Sequence, residues 1–136
     1  MFPRDFDPEV IIIDSLTSIA SAFSGEEYRF RIYMEQLFRY LEGKNISSYL
    51  IKETPVPTHI GTSSVVDRGG TISFLADGII CIYNVVYPEG RRGAAIEVLK
   101  MRGESFKKIT VKSEIKSKKG LVVYSDQVLK GKYVLT

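Results

Sequence analysis

The run Val10-Ile11-Ile12-Ile13-Asp14-Ser15 ends an apolar stretch on a carboxylate followed by a hydroxyl. A carboxylate at the carboxyl end of a buried parallel strand sits where open α/β sheets place their ligands. It can hold a magnesium ion through water beside a triphosphate, an ion that normally faces a Gly-rich loop carrying Lys and Ser or Thr. The chain contains no G-x-x-x-x-G-K-[ST] run. Its nearest fragments, Gly43-Lys44-Asn45 and Gly131-Lys132-Tyr133, lack the paired glycine and the hydroxyl residue, and too few residues precede Val10 to hold the loop upstream. An Asp that caps the turn after a strand gives the same local pattern, so Asp14 alone names no chemistry.

Lys100-Met101-Arg102-Gly103 is the second candidate. Positions two apart on a strand share a face, so both basic heads project together. Two cations on one face can clamp a phosphate and offset charge that builds up in a phosphoryl-transfer transition state. An exposed strand edge with two solvated cations has the same pattern. The remaining polar residues point to structure. Glu26 and Glu27 belong to a helix start, Arg91-Arg92 to a hairpin tip and His59 to a surface loop, while Cys81 in Ile79-Ile80-Cys81-Ile82 is a core thiol. Tyr and Phe follow core periodicities and form no stacking platform for single strands.

The 136 residues make one domain with a real core by the usual size prior. No apolar run approaches the about 18 residues of a membrane span, and the start is neither a signal nor a transit peptide. One cysteine excludes an intrachain disulfide framework and suits a reducing cytoplasm. With one His and one Cys, a His/Cys metal cage is excluded as well. The net charge of +3 is unevenly spread: residues 1–97 hold 9 Lys/Arg against 13 Asp/Glu, and residues 98–136 hold 10 against 3. A basic end suits nucleic acid, nucleotide phosphates or an acidic partner; Lys alternating along strands also makes an ordinary solvated face.

The elements that must position these residues follow from periodicity. Glu9 to Ile13 is an apolar strand of the kind buried in a parallel sheet. Ser15 to Phe23 makes a turn and a helical segment. Ser24 and Glu27 have capping-box spacing, and Phe30, Tyr33, Met34, Leu37, Phe38 and Leu41 recur on one helical face up to Gly43. Ser47 to Lys52 is the next strand, so strand, helix and strand form a right-handed parallel crossover. Residues 1–8 are a lead-in and 54–70 a long loop rich in Thr, Pro, Ser and Gly, of a length that is more often functional than idle. A short helical turn at Thr71 to Ala76 precedes strands at Gly78–Val85, Ala94–Met101, Lys107–Ile115 and Leu121–Tyr124. Short turns between them indicate antiparallel pairing. Ser125 to Thr136 is a turn followed by a short strand or helix.

Taken in order, Val10–Thr17, Leu75-Ala76-Asp77-Gly78-Ile79-Ile80 and Ile96–Gly103 resemble the KaiC-type branch of RecA-like ATPase domains. Gly120-Leu121-Val122-Val123-Tyr124 fits the strand that closes such a domain. The resemblance spans residues 8 to about 125 and rests on the order and spacing of the motifs. It implies an α/β fold, a RecA-like core lacking its N-terminal phosphate-loop unit: a parallel β-α-β followed by antiparallel strands and hairpins.

The resemblance also implies roles. Asp14 matches the family's magnesium-assisting Asp, acting through water, with Ser15 beside it on the nucleotide side. Lys100 and Arg102 match the Lys and Arg that reach the γ-phosphate of a neighbouring subunit. Glu53 or Thr54 matches the polar residue that senses nucleotide state. The implied cofactor is Mg-ATP. The family's phosphate loop and catalytic glutamates lie upstream of the I-D-S strand; Glu26-Glu27 lie downstream and are not their equivalents. Without the phosphate-loop strand, apolar strand edges near Leu50-Ile51 and Ile79–Ile82 are left without partners. The expected state is therefore a homo-oligomer, or a complex with a chain that carries the missing N-terminal half. The alternative is a non-enzymatic interaction module that binds nucleic acid through residues 54–70 and the basic end.

Overall fold

The computed structural model describes residues 6–53, 59–60 and 71–136 of the chain. Two compact units divide it, residues 1–55 and 56–136.

The first unit is a parallel β-α-β. Strand β1 (Val10–Asp14) is followed by helices α1 (Leu16–Ala22) and α2 (Glu27–Gly43) and then by strand β2 (Ser47–Ile51). β1 and β2 pair in parallel, Val10 opposite Ser47 and Asp14 opposite Ile51. Both helices contact β2. Leu16, Met34, Leu37 and Leu41 are buried, the last three on the face of α2 that the 3.6-residue period selects. Phe30 and Phe38 of the same stripe are half-buried.

The capping box does not form. Helix α2 begins at Glu27 with Glu26 in the N-cap position and no side-chain cap bond. Gly25 takes a left-handed φ of +80°, and the Glu26 amide donates to the Phe23 carbonyl at 2.7 Å. That tight turn moves the helix start past Ser24. The Phe23 ring packs on Phe30 and Tyr33, centroids 5.7 and 5.4 Å away, and Glu26 pairs with Arg29 on the surface.

The second unit is a sheet. Strand β3 (His59–Ile60) and the short helix α3 (Thr71–Leu75) precede strands β4 (Gly78–Val86), β5 (Arg92–Met101), β6 (Thr110–Lys116), β7 (Gly120–Val128) and β8 (Val134–Leu135). The order is β3-β8-β4-β5-β6-β7 with every pair antiparallel, as the short turns require. Strand β7 runs four residues past Tyr124, and the end of the chain is a strand, fixed by long-range pairing of β8 with β3 and β4. The core gathers Tyr83, Val85, Ala95 and Leu135, with Cys81, Tyr87, Leu129 and Tyr133 packed against it.

Glu97 is buried in this unit at 5% exposure. Its Oε2 accepts hydrogen bonds from Tyr83 Oη at 3.3 Å and Thr110 Oγ1 at 3.2 Å, so one carboxylate ties β4, β5 and β6 together. The Tyr83 phenol is pushed well above its ordinary range, by burial first and then by Cys81 and the Glu97 charge.

Both units leave apolar surface uncovered. On the β1–β2 pair Val10, Ile12, Tyr49 and Ile51 form an exposed face. Across the larger sheet the exposed Ile82 stands opposite the half-buried Ile96, which faces the buried Val111, with Val128 at the outer end; Ile80 lies beside Val98 and Ile115 beside Leu121. Ile82 is 63% and Ile115 82% exposed. The outer edge of β4 pairs with β8 only at Val85 and Val86, which leaves the edge beside Ile79 and Ile80 open among the described residues.

Candidate functional site

Asp14 ends β1 and lies opposite Ile51 at the carboxyl end of the parallel pair. The Asp14 carboxylate is exposed and, among the described residues, has no hydrogen-bond or ion-pair partner. The Asp14–Ser15 peptide bond is cis. Ser15 is the N-cap of α1, with extended backbone and no side-chain cap bond. From the first turn of α1 the Thr17 Oγ1 accepts a hydrogen bond from the Glu53 amide at 3.3 Å. This contact fastens the segment after β2 to the segment after β1, so Asp14, Ser15 and Glu53 gather at one end of the pair. The I-D-S-L-T run carried Thr17, but its bond to a residue 36 positions away requires the parallel register and is invisible locally. Thr54 lies outside the described residues.

Lys100 and Arg102 belong to the second unit. Strand β5 carries an irregularity: Val98 stands opposite Ile80, yet Lys100 stands opposite Ile79, so Leu99 is an extra residue. Such a bulge bends a strand and re-aims the side chains beyond it. Lys100 Nζ donates to the Phe74 carbonyl at 3.3 Å, and Arg102 Nη2 donates to the same oxygen at 3.0 Å. Arg102 Nη1 also donates to Asp77 Oδ1 at 2.9 Å, and its backbone amide to the Asp77 carbonyl at 2.7 Å. Phe74 lies in the last turn of α3, whose carbonyls have no partner within the helix and attract cations. The structure therefore brings Lys100 and Arg102 onto one acceptor, although Arg102 lies one residue beyond the end of β5. Asp77, the middle of Ala76-Asp77-Gly78, is the partner that the spacing of basic residues alone does not reveal.

These residues fit Mg-ATP on one side only. Magnesium keeps several waters and takes one or two carboxylates besides substrate phosphates. A single exposed, unengaged Asp14 suits that demand, while no cluster of three or more His, Cys, Asp or Glu able to cage a metal occurs among the described residues. The amide-rich loop that would cradle the phosphates is absent from the sequence. A family model described as the ATPase KaiC matches residues 2–128. The chain belongs to the KaiC family of ATPases.

A solved KaiC-like protein from the hyperthermophilic archaeon Pyrococcus horikoshii OT3 is similar to this KaiC-family chain, with a TM-score of 0.66 and 26% identity over 85% of its residues. The match covers 46% of that protein, so the present chain spans less than half the length of this relative. No curated protein matches it. Among the described residues no helix is long and apolar enough to cross a membrane.

Proposed function

We propose that this chain is a truncated KaiC-like ATPase module that supplies one side of a nucleotide site and neither binds nor hydrolyses ATP alone. Asp14 assists magnesium through water, Ser15, Glu53 and Thr54 line the nucleotide side, and Lys100 and Arg102 reach the γ-phosphate bound to a neighbouring subunit. The observation that carries this reading is the convergence of Lys100 and Arg102 on the single Phe74 oxygen. Two cations that share one acceptor lie within the span of one phosphate group, whose oxygens would take the place of that carbonyl. The 136 residues hold no Gly-rich loop with a lysine to cradle the phosphate, and in this reading the nucleotide they touch is held by a partner.

That partner is either a second copy of this chain, completing a homo-oligomer, or a chain that carries the N-terminal half. The exposed side chains of Ile82 and Ile115 and the open edge of β4 support association, because large apolar patches and open strand edges on soluble proteins are sites of contact. Titration calorimetry of the isolated chain with Mg-ATP tests the inactive half of the reading. No saturable heat is expected at micromolar protein, and micromolar affinity would overturn it.

A further inference from the structure

One face of the β6–β7 hairpin continues outward from the core, with Lys112 opposite the buried Ala95, and carries charged side chains outside the nucleotide-facing clusters. Lys112, Glu114 and Lys116 alternate along β6, and the register of the hairpin sets Tyr124 of β7 on the same face. Two ammonium groups lie over the Tyr124 ring, Lys112 Nζ 5.1 Å and Lys116 Nζ 5.5 Å from its centroid. Tyr124 Oη donates to Glu114 Oε2 at 3.0 Å, which holds the ring in place, and Glu114 is 3.8 Å from Lys116, so its charge is compensated locally. The Lys116 ammonium is held above its ordinary range by the Tyr124 hydroxyl first and then by Glu114, and it stays charged. Lys118 and Lys119 extend the charge around the turn. Strand β7 is the edge strand of the sheet. Periodicity assigns Tyr124 to a core face; the structure instead makes it an aromatic plate beside cations.

We propose that this face binds single-stranded nucleic acid, with Lys112, Lys116, Lys118 and Lys119 on its phosphates and the Tyr124 ring under a base. Groove-tracking cations combined with an aromatic plate are the two parts of sequence-tolerant single-strand binding. The surplus of 10 basic over 3 acidic residues in positions 98–136 supplies the complementary charge. A strand step of two residues, about 6.7 Å, spaces the charges along β6 on the scale of successive phosphates in an extended strand. The inference rests on the hairpin alone and is independent of the nucleotide reading.

Fluorescence anisotropy of the whole chain with labelled oligo-dT, oligo-U and a duplex of equal length tests it, with polyglutamate as competitor. The two single strands separate DNA from RNA as the preferred source. Four phosphate contacts imply a log–log salt slope near −3 and roughly a fifty-fold loss of affinity between about 50 and about 200 mM salt. Lys112→Gln with Lys116→Gln, both exposed and harmless to folding, should flatten the slope by about 1.4. Tyr124→Ala should weaken binding by about five-fold or more, and Tyr124→Phe, which keeps the ring, should restore affinity to within about three-fold of the parent. Duplex affinity equal to that of the single strands, equal competition by polyglutamate, binding unaltered by the lysine pair, or no binding at low salt would each overturn the proposal.

Discussion

The two units build sheets from opposite kinds of connection. In residues 6–53 a helical crossover brings two apolar strands side by side in parallel, and the register puts Asp14 and Glu53 at one end. In residues 71–136 tight turns fold consecutive strands antiparallel, and polar pairs across the sheet set the geometry. The first unit takes its order from a few buried aliphatic side chains on one helix. The second takes it from backbone ladders and from one buried carboxylate with two hydroxyl donors. Each leaves apolar surface exposed among the described residues, around Ile12 in the first and Ile82 in the second.

Met34 is fully buried in α2, and truncating it has the largest expected effect on the first unit. Met34→Ala should cost about 2–5 kcal/mol and fall on the first unit alone. Hydrogen exchange read amide by amide checks this: loss of protection confined to residues 6–53 supports separate units, and equal loss at Val85 and Ala95 would merge them. The next effect is in the second unit. Tyr83→Phe removes one of two donors from the buried Glu97 and should cost about 1–3 kcal/mol in urea denaturation.

Tyr83 also gives that unit a pH dependence. Its phenol binds its proton more tightly folded than unfolded, so its contribution is complete below the ordinary value of 10.0 and is lost as the pH rises above it. Parent stability should therefore decline in the alkaline range, with a shallower decline in Tyr83→Phe. The smallest effect belongs to Arg102→Ala. The pair with Asp77 is largely exposed, and surface ion pairs contribute about 0–1 kcal/mol. A nearly unchanged urea midpoint is expected; a loss well above that range would mean that Arg102 clasps the end of β5 and would remove the need for a phosphate to explain it.

The sequence made the frame of both units legible because each rests on local signals. The Val10–Ile13 run, the apolar spacing from Phe30 to Leu41 and the turns at Gly90, Gly103 and Gly120 all speak within a few residues. What escaped depends on distant partners. Ser24 has the right type and spacing for a cap, but the left-handed turn at Gly25 supplies the local hydrogen bond first. Strand β8 has two residues and no period of its own; it exists because β3 and β4 accept it. In the candidate site the Lys100–Arg102 pair was readable as a spacing, whereas Asp77 lies 25 residues from Arg102 and meets it only once β4 and β5 have paired.

The extra residue at Leu99 makes the length of β5 as informative as its composition. Counting back by twos from Lys100 along an unbroken strand would seat it with Val98 among the aliphatic rows; the inserted position changes the parity and returns it to the side of Ile79. A deletion of Leu99 would therefore close the bulge and leave Lys100 opposite Ile79, so what it would remove is the bend in β5 and not the side of the sheet that the first of the two charges takes.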